Sequence, residues 1–335
     1  MFGIFMRSIA VALAMTPVAA SAEPITLKLA FFTSDRATIY LAGIKPFVDA
    51  VNAEAKGLLE IEVYFSGALG KQQAQQAQLV LDGVADIAFV IPGLTPDRFR
   101  DNAIVEFSGL FQDIREASLV YTRLIAANAL EGYEDFNVIA AYVGEPQDIH
   151  TRRPIASLDD LKGMKIRANN PIQGAALERL GMLPVIMPLN QIAEAVSSGQ
   201  IDGAPTTPSI LFEFGISRVA TYHYLLGLSG SPLAILMNRK KFESLPAQAQ
   251  TIIRKYSGEW SARRFVDIFP TVNGQAMERL KSDPARRVIF PSPPDLDKAQ
   301  SAFNFVIEDW AAKSARNRGI LNVAKMEIAK LRSIP

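Results

Sequence analysis

Apolar positions along this chain fall into two rhythms. Short apolar runs bounded by turn residues predict strands over Ile25–Phe32, Leu59–Phe65, Asp86–Ile91, Asn137–Val143, Met164–Arg167, Leu183–Met187 and Leu233–Asn238. Longer stretches with helical spacing lie between them. That alternation is the pattern of an α/β fold rather than of a helix bundle or a sandwich. The helical pattern over Pro246–Lys281 is long and contains Pro270, which has no amide to donate, so one helix kinked at that point is predicted.

Two distant segments share a pattern. A helical stretch over Gln72–Leu81 leads into Gly83-Val84-Ala85-Asp86-Ile87-Ala88, and another over Gln191–Ser198 leads into Gly199-Gln200-Ile201-Asp202-Gly203-Ala204. Each reads as a helix stopped by a glycine, which tolerates positive φ, before the chain enters a strand. Leu27-Lys28-Leu29-Ala30 and Met164-Lys165-Ile166-Arg167 precede them as a matching pair of strands. The pattern predicts two similar α/β lobes, the first from residues 23–144 and 233–270, the second from 145–232 and 271–335 with the C-terminal helices. Ligands of open α/β sheets sit beyond the carboxyl ends of the strands. The residues there are Phe31, Phe32, Thr33 and Ser34 and Val90–Gly93 in the first lobe, then Arg167–Asn170 and Ala204–Pro208 in the second.

The amino terminus has one basic residue, Arg7, an apolar run from Ile9 to Val18, and Ala20-Ser21-Ala22, a small-x-small cleavage site. The apolar run is about half the roughly 20 residues a spanning helix needs, so a signal peptide cleaved after Ala22 and export to the periplasm are predicted. Every later apolar stretch is interrupted by charge, Pro or Gly. The chain has no cysteine, which excludes disulfides, thiolate metal sites and a cysteine nucleophile. With 335 residues, 49% of them hydrophobic, it is long enough for two domains. Loss of Arg7 with the leader takes the formal net charge from +1 to 0, and the charges are scattered, which argues against a nucleic-acid partner.

Enzymatic motifs are absent. Only His150 and His223 could act as imidazole bases, and both read as ordinary hinge or strand residues. Gly227-Leu228-Ser229-Gly230-Ser231 has the wrong spacing for a nucleophile elbow, and Gly67-Ala68-Leu69-Gly70-Lys71-Gln72 lacks the first glycine and the Ser/Thr of a phosphate loop. Asp159 and Asp160 follow Ser157, which reads as the N-cap of a helix. No cluster of His and acidic residues has metal-ligand spacing, and nothing calls for a cofactor.

In order along the chain, Leu27-Lys28-Leu29-Ala30, then Glu60-Ile61-Glu62-Val63-Tyr64 through Gly67-Ala68-Leu69-Gly70, then Gly83-Val84-Ala85-Asp86-Ile87 form the first half of a recognisable series. Leu158-Asp159-Asp160-Leu161-Lys162-Gly163-Met164-Lys165-Ile166-Arg167 and Gly199-Gln200-Ile201-Asp202-Gly203 complete it. Together they resemble the extracytoplasmic solute receptors of TRAP (tripartite ATP-independent periplasmic) transporters, the DctP type. The resemblance implies a two-lobed, type II-like periplasmic binding fold with hinge strands and a long kinked helix, no catalysis, a small organic acid held between the lobes, and membrane subunits of the transporter as partners. It also implies that Arg167 pairs with the ligand carboxylate, which suits the planar fork of donors a guanidinium offers. Read without the resemblance, Arg167 fits better as an edge-strand arginine that solvates the surface.

Two departures from the family pattern bear on the ligand. Gln147 stands where many members have a second arginine, and Thr206 and Thr207 stand near the position of a usual asparagine. With Asn169, with Phe31, Phe32 and Phe89, and with Tyr222 and Tyr224 expected near the cleft, these predict a monocarboxylate with an apolar or aromatic body. A C4-dicarboxylate or sugar acid is the alternative, with Arg36, Arg152 or Arg153 as the second clamp. A signalling partner in place of a permease, and an enzyme of small acids, are the competing functions. The chain is expected to act as a monomer.

Overall fold

The computed structural model describes residues 23–333; the predicted leader, 1–22, lies outside them. The strands are β1 (Ile25–Ala30), β2 (Leu59–Tyr64), β3 (Ile87–Val90), β4 (Phe136–Val143), β5 (Gln147–Thr151), β6 (Lys165–Ala168), β7 (Leu183–Ile186), β8 (Gly203–Thr206), β9 (Tyr222–Leu228), β10 (Pro232–Asn238) and β11 (Arg287–Ile289). The helices are α1 (Lys45–Glu54), α2 (Gln76–Leu81), α3 (Ile114–Ala126), α4 (Pro171–Arg179), α5 (Ile192–Ser198), α6 (Pro208–Glu213), α7 (Arg239–Glu243), α8 (Ala247–Lys255), α9 (Glu259–Ser282), α10 (Pro293–Ala312) and α11 (Ala315–Arg332). Among the described residues, no helix is long and apolar enough to cross a membrane.

Two mixed sheets result, ordered β2-β1-β3-β10-β4 and β11-β9-β5-β8-β6-β7. Within each, the parallel strands β2-β1-β3 or β8-β6-β7 meet strands of opposite direction, β10 or β5. The repeated sequence pattern has one structural meaning in both halves. Asp86 Oδ2 accepts from Lys28 N at 2.8 Å, and Asp202 Oδ2 accepts from Lys165 N at 3.0 Å. The same aspartates donate their own amides back, to Lys28 O at 3.0 Å and Lys165 O at 2.7 Å. Each aspartate thus fastens the chain leaving a helix onto the start of the neighbouring strand. The glycines before them, Gly83 and Gly199, take φ of 72° and 79°, the left-handed geometry that a side chain disfavours.

The chain crosses between the sheets between β4 and β5 and returns between β9 and β10. There the two backbones touch: Gly144 N donates to Ser231 O at 3.0 Å, and a Cβ on Gly230 would collide with the Gly144 carbonyl. Helix α9 carries Pro270 in its interior and packs on both α3 and α6, so it runs from one half to the other.

Several expectations differ from this structure. The helix predicted over 246–281 is two helices, because the backbone turns at Gly258 with φ 64° and breaks the hydrogen-bond ladder there. Ser157 caps no helix; Asp160 Oδ2 instead accepts from Ala156 N and Ser157 N at 2.8 and 2.9 Å, so the acid caps the turn from the other side. The C-terminal helices do not both sit with the second sheet. Ala299, Ala302 and Phe303 of α10 join the core around β5 and β6, whereas Val306, Ile307 and Trp310 of α10 and Ile320, Leu321 and Ala324 of α11 join the core of the first sheet.

Candidate functional site

Chain segments leaving β1, β3, β6 and β8 converge, with the two crossings, on a cavity of about 100 Å³. The first sheet contributes Phe32, Thr33, Phe89 and Ile91, together with Gln73 and Leu94 from short turns. The second contributes Arg167, Asn169, Thr206 and Thr207, with Ile210, Glu213 and Phe214 from the end of α6. Gly144, Glu145, Gln147 and Ser231 come from the crossings, and Phe269 from α9.

Most of the expected residues therefore meet: Arg167, Gln147, Asn169, Thr206, Thr207, Phe32, Thr33 and Phe89 all line this one cavity. Phe31 does not. Side chains alternate across a strand, and Phe31 points behind the wall, fully buried with its ring 5.7 Å from that of Phe32 and 5.6 Å from that of Phe89. Ser34 is exposed and accepts from Arg36 N at 3.3 Å. Tyr222 and Tyr224 lie elsewhere; Tyr224 belongs to the core of the second half and donates to Asp295 Oδ2 at 2.9 Å. Sequence reasoning missed Glu145, Glu213, Gln73 and Phe214, which no periodicity or motif marks.

Arg167 dominates the electrostatics. Its place near the C-terminal end of β6, between β7 and β8, leaves it 2% exposed. Nε donates to Met187 O at 3.0 Å, and no carboxylate among the described residues pairs with the guanidinium. Burial without a counter-charge pulls its pKa down to about 9, which still leaves it cationic at neutral pH. It is the one cation among the residues lining the cavity. On the adjacent strand β8, Thr206 is 2% exposed and its hydroxyl has no partner. The Thr206 carbonyl is occupied, accepting from His150 Nε2 at 3.0 Å. That bond sets the tautomers: His150 Nδ1 must accept from His223 Nδ1, at 2.9 Å, so the two imidazoles form a buried neutral pair behind the cavity wall. Burial lowers their pKa values to about 4 and about 3.

The remaining polar groups are hydroxyls, neutral amides and acids. Gln147 is consumed by its neighbours, donating to Ser231 Oγ at 3.2 Å and accepting from Gln173 Nε2 at 3.0 Å; Asn169 Nδ2 also donates to Ser231. Glu145 accepts from Asn273 Nδ2, and Glu213 accepts from the Thr38 hydroxyl and, at 2.9 Å, from Thr38 N. Burial raises both carboxyl pKa values, partly offset by those donors. The possible second clamps are not in the cavity: Arg152 and Arg153 lie 3.4 and 3.9 Å from Asp202 Oδ1, and Arg36 is exposed.

Residues 30–314 match the model of the DctP family, bacterial extracellular solute-binding protein family 7. The chain belongs to that family. A solved structure of a marine metagenome TRAP solute binding protein, specific for aromatic acid ligands and in complex with metahydroxyphenylacetate, is similar to this DctP-family chain. It has a TM-score of 0.84 and 28% identity over 91% of this chain and 99% of that one. Among curated relatives, a solute-binding protein of Verminephrobacter eiseniae is 26% identical over 62% of this chain; the aligned part spans 63% of that protein, just under two thirds. The C4-dicarboxylate-binding periplasmic protein DctP of Rhodobacter capsulatus is 23% identical over 77% of this chain and 78% of its own. Relatives of both ligand classes therefore share the fold, and the residues lining the cavity must distinguish them.

Proposed function

We propose that this DctP-family protein is a periplasmic receptor that holds a small organic monocarboxylate with an aromatic or apolar body in the cleft and delivers it to the membrane subunits of a TRAP transporter. The observation that carries the reading is Arg167, a buried guanidinium without a counter-charge that lines a cavity together with the apolar side chains of Phe32, Phe89, Ile91, Phe214 and Phe269. A ligand carboxylate supplies the missing charge, taking the guanidinium N–H groups and the free Thr206 hydroxyl as donors. Asn169 and Thr207 stand beside them at the same strand ends. A phenyl body burying about 150 Å² adds roughly 4 kcal/mol at 25 cal/mol per Å².

A second carboxylate has no such reception. Gln147 is neutral and already hydrogen-bonded, and Glu145 and Glu213 would repel it. An unpaired buried charge costs several kcal/mol, enough to outweigh the remaining contacts of a C4-dicarboxylate. In this reading the bound acid is released unchanged.

Closure is the delivery step. The two lobes, built on the first and second sheets, pivot at Gly144 and Ser231-Pro232, and the Thr38–Glu213 bond ties them when shut. A thermal-shift panel tests the ligand class: benzoate and phenylacetate should raise the melting temperature in a concentration-dependent manner, and succinate, malate and sugar acids should not. The opposite ranking overturns the reading.

A further inference from the structure

We infer that Gln73 reads a hydroxyl group at the end of the ligand remote from its carboxylate, so that hydroxylated aromatic acids are the preferred class; this rests on the reading of the cleft as a monocarboxylate site. Gln73 Oε1 is buried, lines the cavity, and has no hydrogen-bond partner. Around it the same wall is apolar, with Phe32, Phe89, Ile91 and Leu94. Nothing among the described residues satisfies this atom, and a ligand group in the cavity can.

The chain holds Gln73 in place. It opens a single 3₁₀ turn, Gln73–Gln75, directly after the Gly67–Gln72 loop. Gln76 Nε2 clamps that loop by donating to Gly70 O at 2.9 Å and Gln72 O at 3.1 Å. The backbone that carries the amide is thus pre-positioned. It lies in the half of the protein opposite to Arg167, so a molecule whose carboxylate is held on β6 presents its other end to this wall. A hydroxyl suits the amide because it donates to Oε1 and also accepts from Nε2, whichever end of the amide faces the ring. A carboxylate there would only accept, beside Glu145 and Glu213. A bare ring would leave the buried oxygen unpaired, and sites built to bond a hydroxyl reject analogues lacking it by large factors.

Calorimetry with benzoate, phenylacetate and their 3- and 4-hydroxy derivatives provides the test, on the wild type and on Gln73→Leu, with Gln73→Met as a second variant. At least one hydroxylated acid is expected to bind the wild type roughly tenfold or more tighter than its parent. Both variants should erase that difference while still binding the parent acid, which also reports that they fold. Equal or tighter binding of the bare parents by the wild type, or a hydroxyl preference that survives in a folded variant, overturns the role of Gln73 and leaves the carboxylate site standing. Absence of binding by every one of these acids overturns the reading of the cleft as well.

Discussion

Replacing Arg167 by Met should move binding and apo stability in opposite directions. The guanidinium is 2% exposed, has no carboxylate partner, and makes one protein hydrogen bond, Nε to Met187 O at 3.0 Å. In the ligand-free protein it is an uncompensated buried cation, and the fall of its pKa to about 9 is the signature of that cost. Met has similar length and no charge, so the apo variant loses the bond to Met187 O and also the burial penalty, and its melting temperature should stay level or rise. In the complex the balance reverses. Removing one partner of a buried ion pair costs about 3–5 kcal/mol because the other charge is stranded, and at about 1.4 kcal/mol per decade this is a loss of roughly 150- to 4,000-fold in affinity. Titration calorimetry with benzoate and differential scanning calorimetry of the apo forms measure the two effects. Affinity within about threefold of wild type would refute the assignment of Arg167. A large drop in apo stability with intact affinity would assign it instead to the fold.

Gly230→Ala should lower stability by about 1–3 kcal/mol in urea, because the added Cβ collides with the Gly144 carbonyl where the two crossings touch; a change below about 0.5 kcal/mol would mean that the crossings separate freely. Glu106 is buried, has one oxygen without a partner, and is pushed by burial to about 8, so it folds as the neutral acid. Its folded pKa lies above the unfolded value; the folded state therefore binds the extra proton, and stability declines as pH rises from about 4.5 to about 8. Glu106→Gln should flatten that part of the pH profile, and a profile identical to wild type would contradict the neutral state. His150 and His223, lowered to about 4 and about 3, contribute stability present above the unfolded value near 6.5 and lost as pH falls through the folded ones. Acid denaturation curves should steepen below about pH 6.5, with imidazole NMR signals showing neutral rings at pH 6; charged rings at that pH would sink the account.

Much of this architecture is legible in one dimension because a strand buried on both faces writes itself as an apolar run, as β3 and β10 do. Strand β5 does not. Its Gln147-Asp148-Ile149-His150-Thr151 is buried throughout, yet four of those residues are polar, and three of them, Gln147, Asp148 and His150, are satisfied by partners distant in sequence, so no local rhythm reveals it. The break between α8 and α9 has a signal, Ser257-Gly258, but helical spacing continues across it and hides the turn. Arg167 and Thr206 are legible because strand ends in a repeated α/β pattern are where a cleft forms. Phe31 and Phe32 show the limit, since neighbours on a strand face opposite ways and only the strand's exact end decides which one reaches the cavity. Glu145, Glu213 and Gln73 reach it from a crossing, a helix end and a short turn, and nothing distinguishes them in sequence from their exposed counterparts.

The most direct test of the central claim is a crystal structure of the protein with a bound aromatic monocarboxylate. The account predicts both carboxylate oxygens within hydrogen-bond distance of the Arg167 guanidinium, one of them also on Thr206 Oγ1, with the ring against Phe32 and Phe89. A ligand whose carboxylate is held elsewhere, leaving Arg167 without contact, would contradict it.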